Sequence, residues 1–115
     1  MRSPAGTVHL LVLGVLCAAG GLLVGAAPAQ TSPTIEQKGI AFSPSTVRVK
    51  AGSQVLFKNL DPFGHNVYSP DQGGVFDIGL QQPDTATAVT FREPGTYTIM
   101  CRIHPKMRAT VAVER

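Results

Sequence analysis

Cys101, His104 and Met107 fall three residues apart in the run Cys101-Arg102-Ile103-His104-Pro105-Lys106-Met107, where a strand-like segment runs out. A second imidazole, His65, stands 36 residues upstream of the cysteine. A thiolate, two imidazoles and a thioether are the donors of a mononuclear type 1 copper site, trigonal in N, N and S with a weak, long axial Met. Zinc also takes Cys and His, but its fourth partner is usually Cys, His, carboxylate or water. Soft sulfur selects copper. A binuclear copper centre would need a second cysteine beside Cys101, and beyond the N-terminal segment there is none.

Taken alone, each residue has an ordinary reading. A lone cysteine is more often an inert buried side chain. His65 reads as a hydrogen-bonded structural or surface histidine, and Met107 as core filler. Met100 adjoins Cys101 but falls on the opposite face of its segment and is read as filler. The grouping outweighs these readings, because beyond residue 29 the chain has two histidines and both belong to it.

The first 29 residues differ from the rest. Arg2 gives a short positive start, an apolar stretch runs from about Val8 to Val24, and Ala27-Pro28-Ala29 places small residues at the −3 and −1 positions of a signal-peptidase site. The alternative is an uncleaved membrane anchor, since the run approaches spanning length. The glycines at 14, 20, 21 and 25 and the Ala-x-Ala ending favour cleavage. Cys17 is preceded by Leu16 instead of the small residue a lipoprotein site needs.

Removing 29 of 115 residues leaves 86, one small domain over 30–115. Arg2 is the one charge lost, so the net charge falls from +3 to +2, too mild to imply nucleic acid or a strongly anionic membrane surface. Cys101 is then the sole thiol of an exported domain. In an oxidising compartment such a thiol is a liability unless buried, paired between chains or metallated. Metal ligation also accounts for its neighbours.

Short β-like segments alternate with turns along the mature chain. Val47 and Val49 alternate with Arg48 and Lys50, Val55 and Phe57 with Leu56 and Lys58, and Asp61-Pro62 ends the second run. Further segments cover His65–Ser69, Val75–Gly79, Thr85–Phe91, Thr96–Cys101 and Arg108–Val113. Such spacing predicts an all-β sandwich or barrel of six to eight short strands. No apolar stripe of period 3.6 competes. Alternation puts Tyr97, Ile99 and Cys101 on one face, so Cys101 points inward at its strand end. Pro105 fixes φ in the turn that must bring His104 and Met107 back to the same point.

The chain resembles the cupredoxins, small blue copper proteins that include plastocyanin, pseudoazurin and amicyanin. The likeness runs through Phe42-x-Pro44-x-x-Val47-x-Val49-x-x-Gly52-x-x-Val55-x-Phe57-x-Asn59 and His65-Asn66-Val67. It ends in Phe91-x-x-Pro94-Gly95-x-Tyr97-x-x-x-Cys101-x-x-His104-Pro105-x-Met107. The short loop with His before Pro looks most like amicyanin. The resemblance implies a Greek-key β-sandwich of seven to eight strands. Its copper ligands carry over as His65, Cys101, His104 and Met107, with Asn66 tying the two ligand-bearing segments together. One position departs: the residue after the cysteine is often a small hydroxyl residue, and here it is Arg102. A backbone hydrogen bond survives that change, whereas a hydroxyl contact does not.

A centre with every strong donor engaged leaves no open position for substrate, which argues for electron transfer over catalysis. The expected function is a periplasmic one-electron carrier, monomeric, without enzyme activity. It would serve redox partners such as a dehydrogenase, cytochrome or oxidase. The resemblance implies docking at an apolar patch around His104, with Phe63, Gly64, Pro105 and Pro70 as candidate members and Arg102, Lys106 and Arg108 as a basic rim. The alternatives are a copper storage, delivery or resistance protein, and a metal-free binding module.

Overall fold

The computed structural model describes residues 31–71 and 76–115, together with Gly14, Gly20, Gly21 and Gly25. The segment 1–29 expected to be a signal peptide, those glycines apart, and residues 72–75, with the expected loop at 72–74 and the start of the Val75–Gly79 segment, therefore lie outside the described residues. Nine strands make up the described fold: β1 (Thr34–Gln37), β2 (Phe42–Ser43), β3 (Thr46–Lys50), β4 (Ser53–Asn59), β5 (His65–Ser69), β6 (Phe76–Gln81), β7 (Ala86–Phe91), β8 (Gly95–Met100) and β9 (Arg108–Glu114). They form two mixed sheets, ordered β2-β1-β4-β7 and β3-β9-β8-β5-β6. The all-β expectation holds. No helix among the described residues is long and apolar enough to cross a membrane.

Period-two alternation explains most of the strands. In β3, Val47 and Val49 are buried between exposed Thr46, Arg48 and Lys50, and they pair in parallel with Val111 and Val113 of β9. In β8, Tyr97 and Ile99 turn inward while Thr98 and Met100 are half-buried on the other face. Met100 there accepts a contact from the Tyr68 hydroxyl.

β1 and β2 go beyond the expected set. Their signal is weak because β2 has two residues, and β1 buries Ile35 beside a polar Gln37. Gln37 is nonetheless satisfied on one side, since its Nε2 donates to Gln81 Oε1 at 2.5 Å. β1 runs parallel to β4, Ile35 opposite Phe57.

The two sheets close over one core containing Ile35, Val55, Phe57, Val67, Ile99 and Val111, all fully buried. Aromatic rings run through it: Phe57 to Phe76 at 6.4 Å, Phe76 to Phe91 at 5.7 Å and Phe91 to Tyr97 at 5.3 Å between centroids. The Tyr97 hydroxyl donates to Glu93 O at 2.6 Å and so braces the turn entering β8. That turn aims the strand whose end carries Cys101.

In β6 the alternation slips. Phe76 and Ile78 pack against the core, and the next inward residue is Gln81, not Leu80. A bulge shifts the β5–β6 register between Asn66↔Leu80 and Tyr68↔Asp77. Gly79 takes φ +73 there, a left-handed conformation that side chains rarely adopt. The slip moves Leu80 to the surface.

Phe57 is the largest of the fully buried side chains. Phe57→Ala is expected to cost about 3–5 kcal/mol of unfolding free energy in a denaturant titration. A loss below about 1 kcal/mol would mean that the sheets do not close on this ring.

Candidate metal centre

The loop between β8 and β9 and the start of β5 meet at one end of the sandwich. Cys101 follows the last residue of β8, Met107 precedes the first of β9, and His65 opens β5. Met107 N–H donates to His104 O at 3.0 Å, closing the turn that carries the loop back into β9. His65, Cys101 and Met107 are buried, while His104 keeps part of its ring in solvent.

The structure brings three candidate ligands together. His65, Cys101 and His104 each offer a donor atom, and these atoms all lie within 4.8 Å of one another. The two Nδ1 atoms are 3.2 Å apart, and Cys101 Sγ is 3.9 Å from His104 Nδ1. Met107 is buried at the foot of the same turn. Two nitrogens and a thiol sulfur converging in a site closed except along one imidazole form a donor set suited to copper.

Asp61, expected only to end a strand run together with Pro62, is a further contributor to the site. His65 Nε2–H donates to Asp61 Oδ2 at 2.7 Å. The proton is thereby held on Nε2, and Nδ1 presents its lone pair to the cluster. The carboxylate also accepts from Gly39 N at 2.7 Å and Ile40 N at 3.0 Å. Burial alone pushes the Asp61 carboxyl up, but the Ile40, His65 and Gly39 hydrogen bonds together outweigh it and hold it below the usual carboxylate value. Asn59 shapes the loop: its Oδ1 accepts from Asp61 N at 2.9 Å, and its Nδ2 donates to Phe63 O at 2.9 Å and Gln81 O at 3.1 Å. A carboxylate four residues before a candidate ligand was the available signal, but a loop has no periodicity to aim it.

Asn66 joins the two ligand-bearing segments. Its N–H donates to Cys101 Sγ at 3.3 Å, and its Oδ1 accepts from Arg102 N at 3.1 Å. The backbone bond expected to survive at Arg102 is therefore present.

Phe63 packs beside His104, and exposed Ile103 precedes it in the loop. Among the described residues, the exposed large hydrophobic side chains are Phe63, Leu80 and Ile103, at 41%, 63% and 49% exposure. The Phe63 ring centroid lies 5.3 Å from that of His65 and 5.9 Å from that of His104. Leu80 folds over Gly64, where a Cβ would stand 2.7 Å from Leu80 Cδ1. Phe63 thus falls where expected, beside His104, and Gly64 lies under Leu80. Pro70 follows the far end of β5, about 16 Å away at ~3.3 Å per residue, and is not part of the patch. Leu80 and Ile103 supply the apolar area instead.

The chain matches the copper binding proteins of the plastocyanin/azurin family over residues 29–114. It belongs to that family. It is 36% identical over 101 residues to amicyanin-alpha of Methylorubrum extorquens, covering 84% of each chain. It is 40% identical over 77 residues to the chloroplast plastocyanin of Fritillaria agrestis, covering 56% of this chain and 46% of that one. Among solved structures, a copper(I) amicyanin variant superposes with a TM-score of 0.68 at 27% identity, over 75% of this chain and 85% of that one. A copper-containing nitrite reductase from Thermus scotoductus gives 0.70 at 28%, over 80% of this chain and 24% of the larger enzyme. The cofactor of the family is copper, and His65, Cys101 and His104 form the possible site for it.

Asp61→Ala is expected to weaken copper binding about 10- to 100-fold in a chelator competition, because the His65 ring loses the group that orients it. Unfolding should also become easier by about 1–3 kcal/mol, since buried donors lose their acceptor. Unchanged affinity with lowered stability would restrict Asp61 to a structural role.

Proposed function

We propose that the protein is a periplasmic type 1 copper protein that carries single electrons between redox partners. The ligands in this reading are His65, Cys101, His104 and Met107, with Asn66 holding the thiolate. The observation that carries it is the convergence of two Nδ1 atoms and one Sγ within 4.8 Å at a buried strand end.

Copper supplies a one-electron couple that needs no bond to form or break. The chain does the rest. Asp61 and Asn66 restrain His65 and Cys101 from outside the cluster, so the donors keep their places through a change of charge and the reorganisation is small. The Asn66 N–H draws negative charge from the sulfur and biases the potential. Core packing keeps water from His65, Cys101 and Met107. His104 is the half-exposed candidate ligand, and its ring is the route out.

The patch of Phe63, Leu80 and Ile103 suits a brief encounter with a dehydrogenase, cytochrome or oxidase, which need only a small interface. Exposed Lys106 and Arg108 favour an acidic partner face, while Arg102, the third expected rim charge, is paired with Asp77. Export through the N-terminal segment, and a monomeric domain over 30–115 after cleavage at Ala29, complete the reading. The amicyanin and plastocyanin relatives support a carrier and not an enzyme. Copper storage or delivery is the competing reading, and a buried thiol in a braced loop disfavours it.

Residues 30–115 loaded with Cu(II) should show an intense visible thiolate-to-copper band, absent in Cys101→Ser, and a reversible voltammetric couple. A colourless complex would sink the carrier reading. A blue complex with no reversible couple would favour copper handling instead.

A further inference from the structure

Arg102 directly follows the candidate ligand Cys101, and its side chain is engaged. Nε donates to Asp77 Oδ2 at 2.6 Å, and the guanidinium carbon sits 4.0 Å from the centroid of the Tyr68 ring. Its backbone N–H donates to Asn66 Oδ1 at 3.1 Å. Asn66 Nδ2 in turn donates to Asp77 Oδ1 at 2.7 Å. These three hydrogen bonds make a closed ring that begins and ends on Arg102. The β6 bulge supports it: Gly79 N donates to Asp77 Oδ1 at 2.8 Å, and Gly79 O accepts from Asn66 Nδ2 at 2.9 Å.

We propose that Arg102 is a positioning residue of the copper centre, latching the start of the ligand loop to β6 so that the Asn66 N–H stays on Cys101 Sγ. The inference deepens the proposed copper reading and rests on it. The pair is open to solvent, with Arg102 61% and Asp77 38% exposed. An ion pair so exposed adds little to global stability, so the effect of the ring is local. Tyr68 belongs to β5, Asp77 to β6, and Arg102 to the loop leaving β8. One planar side chain therefore touches both strands beside the ligand loop. Arginine does this by stacking through its face while donating through its edge, and an ammonium group lacks that geometry. A small hydroxyl would not reach either strand. The hydrogen bond kept in register is the one to the sulfur, whose outer contacts tune affinity and potential.

A different role would be charge alone, with Arg102 acting as one positive group near a cation or on a docking rim. Opposite variants separate the two. Arg102→Ala removes a positive charge and Asp77→Asn removes a negative one, so a purely electrostatic effect moves copper affinity in opposite directions. The latch predicts that both weaken it, by about tenfold in chelator competition. The double variant should be little worse than either single change, because all three break one ring. Arg102→Lys should recover only part of the loss. In the copper-free protein, amide hydrogen exchange at Asn66 and Arg102 should quicken in both single variants. Affinity shifts of opposite sign, or unchanged exchange at those two amides, would overturn the latch. A wild-type protein that binds no copper would sink the copper reading itself, while exchange in the copper-free form still reads the ring.

Discussion

The bond from Asn66 N–H to Cys101 Sγ is the contact on which the site depends. β5 and β8 are neighbours in one sheet, yet their ladder has one paired register, Tyr68↔Met100. Past that point the strands part, and regular backbone pairing no longer sets the distance between His65 and Cys101. Asn66 takes over, with its N–H on the sulfur and its amide between the backbone of Arg102 and the β6 bulge. A strand opening is needed to make room for several side chains converging on one point. One side chain that can donate and accept at once is needed to stop that opening from going further.

The opposite side of the site is restrained by charge and not by a sheet. Asp61 is held by two backbone N–H groups of the β1–β2 turn before it meets His65. The small sheet that carries β1 and β2 thereby reaches the imidazole through a single carboxylate. β1 and β2, short and weakly patterned, thus have a role beyond covering the core. They fix the acceptor that sets which nitrogen of His65 points into the cluster.

Much of this was legible in the chain. Val47 and Val49, Val55 and Phe57, and Tyr97 and Ile99 each alternate with polar or half-buried neighbours, and each turned out to face the core. Three candidate ligands meet because Cys101 continues the inward face of β8 and the turn at His104–Met107 returns the chain. The misses share a cause. Leu80 would be read as inward by alternation from Phe76 and Ile78, but a bulge at Gly79 slips the count by one, and no residue type announces the slip as distinct from an ordinary turn glycine. Asp61 and Asp77 act through loop and bulge geometry, where no period links sequence position to direction. Pro70 is five residues from His65 in sequence, but β5 is extended and carries it to the far end of the strand.

The same slip ties the two faces of the site together. By moving Leu80 outward, the bulge lays an apolar side chain over Gly64, next to the Phe63 ring that touches both imidazoles. By turning at Gly79, it also gives Asp77 a backbone N–H and leaves a carbonyl for Asn66. One extra residue in an edge strand therefore builds part of the outer apolar surface and part of the inner restraint on the sulfur. For the proposed carrier these two jobs belong together. A partner pressing on Phe63 and Leu80 pushes against β6, the strand that also anchors Asn66 through Asp77. An encounter strong enough to bring donors close must not shift the sulfur's hydrogen bond, because each shift would add to the reorganisation that electron transfer has to overcome. Bracing β6 at Asp77, directly opposite Tyr68, puts the stiffness on the strand that receives the load.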